Sequence, residues 1–100
     1  MAKRKVPLAT PGGILLEEFL KPLGVTQYRL AKEIGVPQRR IGEIVSGKRA
    51  ITADTAARLG VFFGMGAEFW LNLQAHHDLV HACEVLADRL AQITSLAMAA

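Results

Sequence analysis

Apolar residues in the first two thirds of the chain recur every three to four positions, which is the spacing of one helical face. The first such run follows Thr10 and Pro11, a hydroxyl that can cap a helix and a proline that the first turn tolerates. It ends in the stretch KPLG, where Pro22 and Gly24 interrupt helical hydrogen bonding. We therefore predict a first helix between Thr10 and Gly24.

Helix-starting and helix-ending residues divide the next part of the chain into three more helices. Their expected boundaries are Thr26 and Gly35 for the second, Pro37 and Gly47 for the third, and Thr52 and Gly64 for the fourth. No segment shows the sustained alternation of apolar and polar residues that a half-buried strand requires. The chain is therefore predicted to be all-α.

From Ala67 onward the sequence contains no proline and no glycine, so we expect one long helix or two abutting helices. The fold prediction is thus five helices followed by a C-terminal helical extension. Apolar residues in that region are spaced four and three apart, which is typical of a short coiled-coil seam. They are Leu79, Cys83, Leu86, Leu90, Ile93 and Ala97. A helix with such a seam either pairs with the same helix of a second copy or packs against the core of its own chain.

The segment from Gln27 to Ile44 has the residue spacing of a helix-turn-helix. Ala31 is small enough for the third helix to cross the second, and Gly35 supplies the positive φ that reverses the chain. The apolar positions that would lock the two helices together are Leu30, Ile34, Val36, Ile41 and Ile44. An ordinary helical hairpin with a glycine at its corner is the alternative.

The polar residues that this motif leaves outside are candidate DNA contacts, because its second helix enters the major groove by its N-terminal end. Gln and Arg pair with adenine and guanine, while Glu accepts from cytosine or orients a neighbouring Arg. The candidate base contacts are Gln38, Arg39, Arg40 and Glu43. The candidate phosphate contacts are Thr26, Gln27, Lys48 and Arg49. The alternative for each cation is plain solvation.

Charge is divided unevenly along the chain, whose net charge is +3. Residues 1–60 contain eleven Lys or Arg and five Asp or Glu, whereas residues 61–100 contain one and four. The basic part includes an arm at residues 1–9 that we expect to be flexible. This distribution favours a polyanionic partner at the N-terminal end and a different role for the C-terminal end.

Several other classes of protein are not expected. Apolar runs are too short for a membrane span, and no apolar stretch follows the basic N-terminus as in a secretory signal. Cys83 is the only cysteine, so we expect no internal disulfide, a small buried side chain and a cytoplasmic protein. His76, His77 and His81 lack the further ligands of a zinc site, so we expect no metal and no cofactor. The carboxylates are scattered, so we do not expect an enzyme such as a small nuclease.

Three stretches within residues 11–79 resemble one known family: ILLEEFLKPLG, GKRAITADTAARL and EFWLNLQ. That family is the HigA-type (VapI-like) antitoxins, whose helix-turn-helix is of the XRE, or phage-repressor, type. The resemblance implies a phage-repressor-like domain from a type II toxin–antitoxin module, which dimerises and represses its own operon. It implies two partners, double-stranded operator DNA and a HigB-like toxin, which is an mRNA-cleaving ribonuclease of the RelE type. It also implies DNA contacts for Gln27, Gln38, Arg39 and Glu43.

The sequence departs from this family at two glycines. Gly13 stands where relatives often have glutamate, and Gly42 stands where they often have asparagine. Gly42 weakens the recognition helix and removes a possible polar contact, so we expect operator specificity to differ.

The C-terminal third is expected to form a dimer interface, because two recognition helices about 34 Å apart read a longer site than one. The expected interface residues are Trp70, Leu79, Leu86, Leu90 and Ile93, with Phe69 in the core. The expected domains are the arm at 1–9, a helix-turn-helix domain at 10–79 and a dimerisation or packing helix at 80–100.

Two other functions stay open. A stand-alone XRE-type transcriptional regulator shares the DNA-binding half of the argument but has no toxin. A pure protein-interaction module predicts no salt-dependent affinity for DNA, whereas DNA binding requires a steep dependence on salt.

Overall fold

The computed structural model describes residues 9–99, and every regular element within them is helical. Helix α1 comprises an α-helical turn at Pro11–Ile14, a π-helix at Leu15–Leu20 and a second α-helical turn at Lys21–Leu23. Helix α2 spans Gln27–Ile34, α3 Gln38–Val45, α4 Ala53–Phe63 and α5 Ala67–Val85. Two short helices follow, α6 at Ala87–Ala91 and α7 at Leu96–Ala99. The predicted all-α class, five helices with a C-terminal extension, is confirmed; residues 1–8 of the predicted arm lie outside the described residues.

Two of the three predicted hydroxyl caps are formed. Thr10 Oγ1 accepts the Gly13 N–H at 2.9 Å, and Thr26 Oγ1 accepts the Arg29 N–H at 3.0 Å. Thr52 stands at the N-cap position of α4, but its side chain makes no capping hydrogen bond. The predicted boundary at Thr52 is therefore right, and the predicted hydroxyl cap is wrong.

The π-helical segment of α1 is not predicted by the sequence pattern. The Lys21 N–H bonds to the Leu16 carbonyl, five residues back. Leu15 and Leu20 are also five residues apart, and both are buried, at 0% and 1% exposure. A regular α-helix would point them about 140° apart, so the wider turn is what brings both leucines into the core.

One hydrophobic core holds helices α1–α5 together. It contains the apolar positions of the predicted helix-turn-helix, namely Leu30, Ala31, Ile34, Val36, Ile41 and Ile44. The other buried members are Leu15, Leu20, Ile51, Ala56, Leu59 and Trp70. The predicted inward-facing positions of the motif are confirmed.

The structure places two neighbouring aromatic residues differently from the prediction. Trp70, expected in a dimer interface, is 0% exposed within the protomer, and its ring centroid lies 4.8 Å from that of Phe19 and 5.8 Å from that of Phe63. Phe69, expected in the core, is 36% exposed. Adjacent helical residues point about 100° apart, so the two rings cannot face the core equally. The prediction of Trp70 as a dimer contact is wrong.

The sequence predicts one long helix or two abutting helices after Ala67, with a helix at residues 80–100, but the structure has three helices within residues 67–99. Helix α5 ends at Val85, and the backbone leaves helical geometry at Leu86, with φ −96° and ψ 7°. Helix α6 ends at Ala91, and Ile93 lies in no helix. The predicted coiled-coil seam is therefore not carried by one continuous helix.

A serine explains the second of these breaks. Ser95 Oγ accepts the Ala97 N–H at 3.2 Å at the start of α7. The preceding Ile93 and Thr94 are β-branched, and such residues have low helix propensity. The Ser95 side chain thus caps a new helix, and the helical conformation is broken before it without a proline or a glycine.

Helix α5 extends past the core. Trp70 is its buried residue, and Cys83, further along, is exposed. The expectation of a buried Cys83 is therefore wrong, because this part of the helix has no core packed against it. The Cα atoms span 55 × 27 × 21 Å, which reflects this extension. In residues 9–99 no helix combines the length and the apolar character that crossing a bilayer requires.

Candidate nucleic-acid interface

Helices α2 and α3 are joined by a turn that Gly35 makes possible. Gly35 has φ 74°, a left-handed conformation that residues with a Cβ rarely adopt. The Val36 N–H bonds to the Ala31 carbonyl at 3.0 Å, and Val36 is 8% exposed. This geometry confirms the predicted helix-turn-helix and makes α3 the recognition helix.

The first turn of α3 carries exposed polar side chains. Pro37 occupies the N-cap position with an extended backbone, φ −61° and ψ 142°. Gln38 and Arg39 follow on the surface, and the Arg39 side chain is 86% exposed. An exposed guanidinium at the start of a recognition helix is placed to reach base edges.

The Glu43 carboxylate links Arg39 to Arg49, and these three side chains are called the Glu43 network below. Arg39 Nε donates to Glu43 Oε2 at 3.1 Å, and Arg49 Nε donates to Glu43 Oε1 at 2.9 Å. Hydrogen bonds from Arg49 and then from Arg39 hold the pKa of Glu43 below its ordinary value. Both arginines are thereby held at the outer side of α3.

The loop after α3 folds back onto the same glutamate. The Glu43 main-chain carbonyl accepts the Lys48 N–H at 2.8 Å and the Arg49 N–H at 3.2 Å. The Ser46 hydroxyl donates to it at 3.1 Å. The backbone of this loop therefore brings Lys48 and Arg49 to the same part of the surface as Arg39, and we call these three residues the basic edge.

Arg40 points to α4 and does not join the Glu43 network. Its Nη1 donates to Asp54 Oδ2 at 3.4 Å, and its side chain is 29% exposed. Arg58 Nε donates to Asp54 Oδ1 at 3.0 Å, and this hydrogen bonding from Arg58 holds the pKa of Asp54 below its ordinary value. Arg58 Nη1 also donates to the Ile34 carbonyl at 2.7 Å. We call this series of contacts, from Arg40 through Asp54 and Arg58 to Ile34, the interhelix clamp.

Thr26 and Gln27, predicted to contact phosphate from the start of α2, differ in their surroundings. The Thr26 hydroxyl oxygen caps α2. Gln27 is half-buried, and its Oε1 lies 3.8 Å from the point that a Cβ on Gly42 would occupy. The Gln27 amide thus lies beside Gly42 of the recognition helix.

Three residues near this surface are missing from the sequence-based prediction. Asp54 and Arg58 show their four-residue spacing in the sequence, but nothing there indicates their contacts across to Arg40 and Ile34. Gly12 lets α1 pack against the C-terminal end of α3, and the pair of adjacent glycines is the signal that could have indicated it.

The three histidines form no metal site in the described part of the chain. Within residues 9–99 no three His, Cys, Asp or Glu side chains lie close enough to hold an ion together. His77 Nδ1 lies 3.5 Å from Asp78 Oδ1, its neighbour in sequence.

Comparison with known proteins identifies the family. Residues 16–70 match the helix-turn-helix family. The chain is 51% identical over 77 residues to virulence-associated protein I of Dichelobacter nodosus, a match that covers 77% of this chain and 71% of that protein. It is 37% identical over 79 residues to antitoxin HigA-1 of Vibrio cholerae, which covers 79% of this chain and 74% of that protein. The chain belongs to the HigA-type antitoxin family of helix-turn-helix proteins.

Solved structures of HigA-type proteins are similar over most of their length. Pseudomonas aeruginosa antitoxin HigA with the higBA promoter has a TM-score of 0.86 at 34% identity, covering 90% of this chain and 99% of that one. Antitoxin GraA in complex with its operator has a TM-score of 0.83 at 33% identity, covering 96% of this chain and 98% of that one. The resemblance predicted from the sequence is confirmed.

Proposed function

We propose that this HigA-type protein is a sequence-specific DNA-binding antitoxin that represses its own operon. The basic edge carries the proposal, because Arg39, Lys48 and Arg49 are gathered beside the exposed first turn of α3. Clustered cations fit the phosphate backbone of DNA. The similarity to two antitoxins, one solved with a promoter and one with its operator, supports this function. The proposed role is binding without catalysis, in the cytoplasm, where operator DNA lies.

The side chains of α3 and its loop have separate roles in this proposal. Gln38 and Arg39 pair with bases, because both are exposed at the N-terminal end of the helix. Lys48 and Arg49 contact phosphates. Glu43 orients Arg39 and Arg49, since both of its carboxylate oxygens already accept hydrogen bonds from them.

The other three candidate contacts, Arg40, Gln27 and Thr26, have supporting positions in this proposal. Arg40 is anchored to Asp54 and approaches the duplex from the side of α4. Gln27 supports α3 from the side of Gly42. Thr26 caps α2 and so directs the N-terminal N–H groups of that helix toward a phosphate.

We propose that the protein is a homodimer that pairs through its C-terminal part. Several apolar side chains there are exposed, and we call four of them the C-terminal surface. They are Leu79 at 64%, Leu86 at 41%, Leu90 at 41% and Ile93 at 68%. A second copy would bury them, and a two-fold pair would also place two recognition helices on successive major grooves, about 34 Å apart. Because these residues lie on separate helices and a loop, the pairing is not a single coiled coil.

We further propose that the partner protein is a HigB-like ribonuclease toxin of the RelE type. The support is the 37% identity to a protein named antitoxin HigA-1. The alternative is a stand-alone regulator, supported by 40% identity over 70 residues to an uncharacterized HTH-type transcriptional regulator, YbaQ of Escherichia coli, of which the match covers 62%. Purifying the protein together with the product of the adjacent gene distinguishes them, because only an antitoxin retains that product and blocks its cleavage of mRNA.

The proposed DNA binding is tested by fluorescence anisotropy with DNA from upstream of the protein's own gene and with scrambled DNA, at two salt concentrations. We expect tighter binding to the upstream DNA and weaker binding to both at the higher salt. Arg39→Ala should lower the affinity for upstream DNA by about tenfold, since one base contact contributes about 1–3 kcal/mol. Lys21→Ala, which removes an exposed cation from α1 outside both the basic edge and the C-terminal surface, is the control and should have little effect. Equal weak binding to both DNAs, indifferent to Arg39, would instead favour a protein-interaction module.

A further inference from the structure

The interhelix clamp joins all three helices that surround the recognition surface. Arg58 of α4 donates to the Ile34 carbonyl at 2.7 Å and approaches the Gly35 carbonyl at 3.4 Å. The last carbonyls of a helix have no partner within it, and a cation there is electrostatically favoured. Arg58 therefore ties the C-terminal end of α2 to α4.

Asp54 extends this tie to the recognition helix. It lies in the first turn of α4, where a negative charge is favoured, and accepts from Arg58 on its own helix. It also accepts from Arg40, which directly follows Arg39 in the first turn of α3. The position of that turn relative to α2 and α4 thus depends on one carboxylate shared between two guanidinium groups.

We propose that Asp54 and Arg58 are positioning residues for operator recognition, acting through Arg40. Asp54 holds the Arg40 guanidinium against α4. The N–H groups of Arg40 that Asp54 does not bind then face the DNA in a fixed direction. Arg58 holds Asp54 in place because its planar guanidinium donates both to the Asp54 carboxylate and to the Ile34 carbonyl. The inference rests on the proposed DNA binding and adds two residues of α4 to the determinants of specificity.

A positioning role for Asp54 and a purely electrostatic role change the affinity for DNA in different ways. Replacing Asp54 by Asn removes a negative charge near the basic surface, which by itself strengthens binding to any DNA. Releasing Arg40 instead affects discrimination between sequences, because only a fixed guanidinium selects one arrangement of acceptors. The informative quantity is therefore the ratio of upstream-DNA affinity to scrambled-DNA affinity, and not either affinity alone.

The test measures that ratio for wild type, Asp54→Asn, Arg40→Gln and the double variant, with thermal unfolding of each as a check on folding. We expect Asp54→Asn to lower the ratio by about fivefold or more, within the range that coupled neighbours show. In the Arg40→Gln background the same substitution should leave the ratio unchanged. Arg58→Lys should also lower the ratio, because one ammonium cannot replace the two-sided fork. Glu33→Gln is the matched control: Glu33 pairs with Arg29 within α2 at 3.8 Å, and its loss should shift both affinities equally.

Each outcome decides a separate question. A ratio that Asp54→Asn leaves unchanged, or lowers equally with and without Arg40, overturns the positioning role. Wild type that does not prefer upstream DNA at all overturns the proposed function instead. If Asp54→Asn does not fold, Asp54→Glu keeps the charge but moves the carboxylate by one methylene. The Arg40-dependent fall in the ratio is expected there too, and its absence overturns the proposal.

Discussion

Gly12 in α1 lies directly against the main-chain carbonyl of Ile44 in α3, where a Cβ on residue 12 would overlap the carbonyl oxygen. The same Cβ would lie 2.9 Å from the Val45 Cα. Both obstacles are backbone atoms, so neither can be relieved by a change of rotamer. The backbones of α1 and of the recognition helix α3 are therefore in direct contact.

Gly12→Ala should destabilise the protein, because the added methyl forces α1 and α3 apart. Overpacking of this kind lowers the free energy of unfolding by about 1–3 kcal/mol. Urea unfolding followed by the fluorescence of Trp70, the only tryptophan, measures the change. An unchanged midpoint would contradict the close contact.

Gly42→Ala should have the opposite effect and serves as a control for the first substitution. Gly42 lies within α3, and a Cβ there would meet Gln27 Oε1 at 3.8 Å, an ordinary contact distance. Replacing a helical glycine by alanine stabilises by about 0.5–1 kcal/mol. The same urea series measures it, and a loss of stability would show that the Gln27 amide requires the vacant space.

Stability should depend on pH through the Glu43 network. Hydrogen bonds from Arg49 and then from Arg39 hold the pKa of Glu43 below its ordinary value in the folded protein. A lowered folded-state pKa stabilises the protein above the unfolded-state pKa, and this contribution is lost as pH falls through the folded-state value. Between about pH 5 and about pH 3, wild type should therefore lose more stability than Glu43→Gln.

Thermal unfolding across that range at low salt and at about 1 M salt makes the comparison, since salt screens exposed ion pairs. The difference between wild type and Glu43→Gln should shrink at high salt. Identical pH profiles at low salt would show that the network adds nothing to folding.

Leu90→Glu should turn the protein into a monomer, because it places a charge on the C-terminal surface. Sedimentation equilibrium of wild type and variant gives the masses, and the variant should also bind upstream DNA more weakly because one recognition helix reads fewer bases. Val61→Glu is the matched control, since Val61 is 85% exposed on α4 outside that surface. A dimer that survives Leu90→Glu and dissociates with Val61→Glu would move the interface to α4.

The sequence predicts the helix-turn-helix well because its determinants are local. The φ of Gly35, the caps at Thr10 and Thr26 and the burial of Ile41 each follow from neighbours within about one or two helical turns. The same residues expose Gln38 and Arg39, so the leading part of the candidate site also follows from the sequence.

The sequence does not predict contacts that depend on how helices meet. Whether Trp70 or Phe69 faces inward is decided by packing against Phe63 of α4 and against Phe19 of α1, and Phe19 lies far from both along the chain. Arg58 meets Ile34 across twenty-four positions, and Arg40 meets Asp54 across fourteen. Periodicity also does not locate the breaks at Leu86 and before Ser95, because neither is marked by a proline or a glycine.

The Glu43 network has a consequence for how fast the protein searches a genome. Random sequence outnumbers the operator by many orders of magnitude, and free arginines would hold the protein on it. In the proposed DNA-binding role, the carboxylate beside Arg39 and Arg49 lowers their attraction to any phosphate, so the protein should leave wrong sites sooner than a variant with glutamine at position 43. Glu43 should thus lower the affinity for non-operator DNA and so shorten the search for the operator.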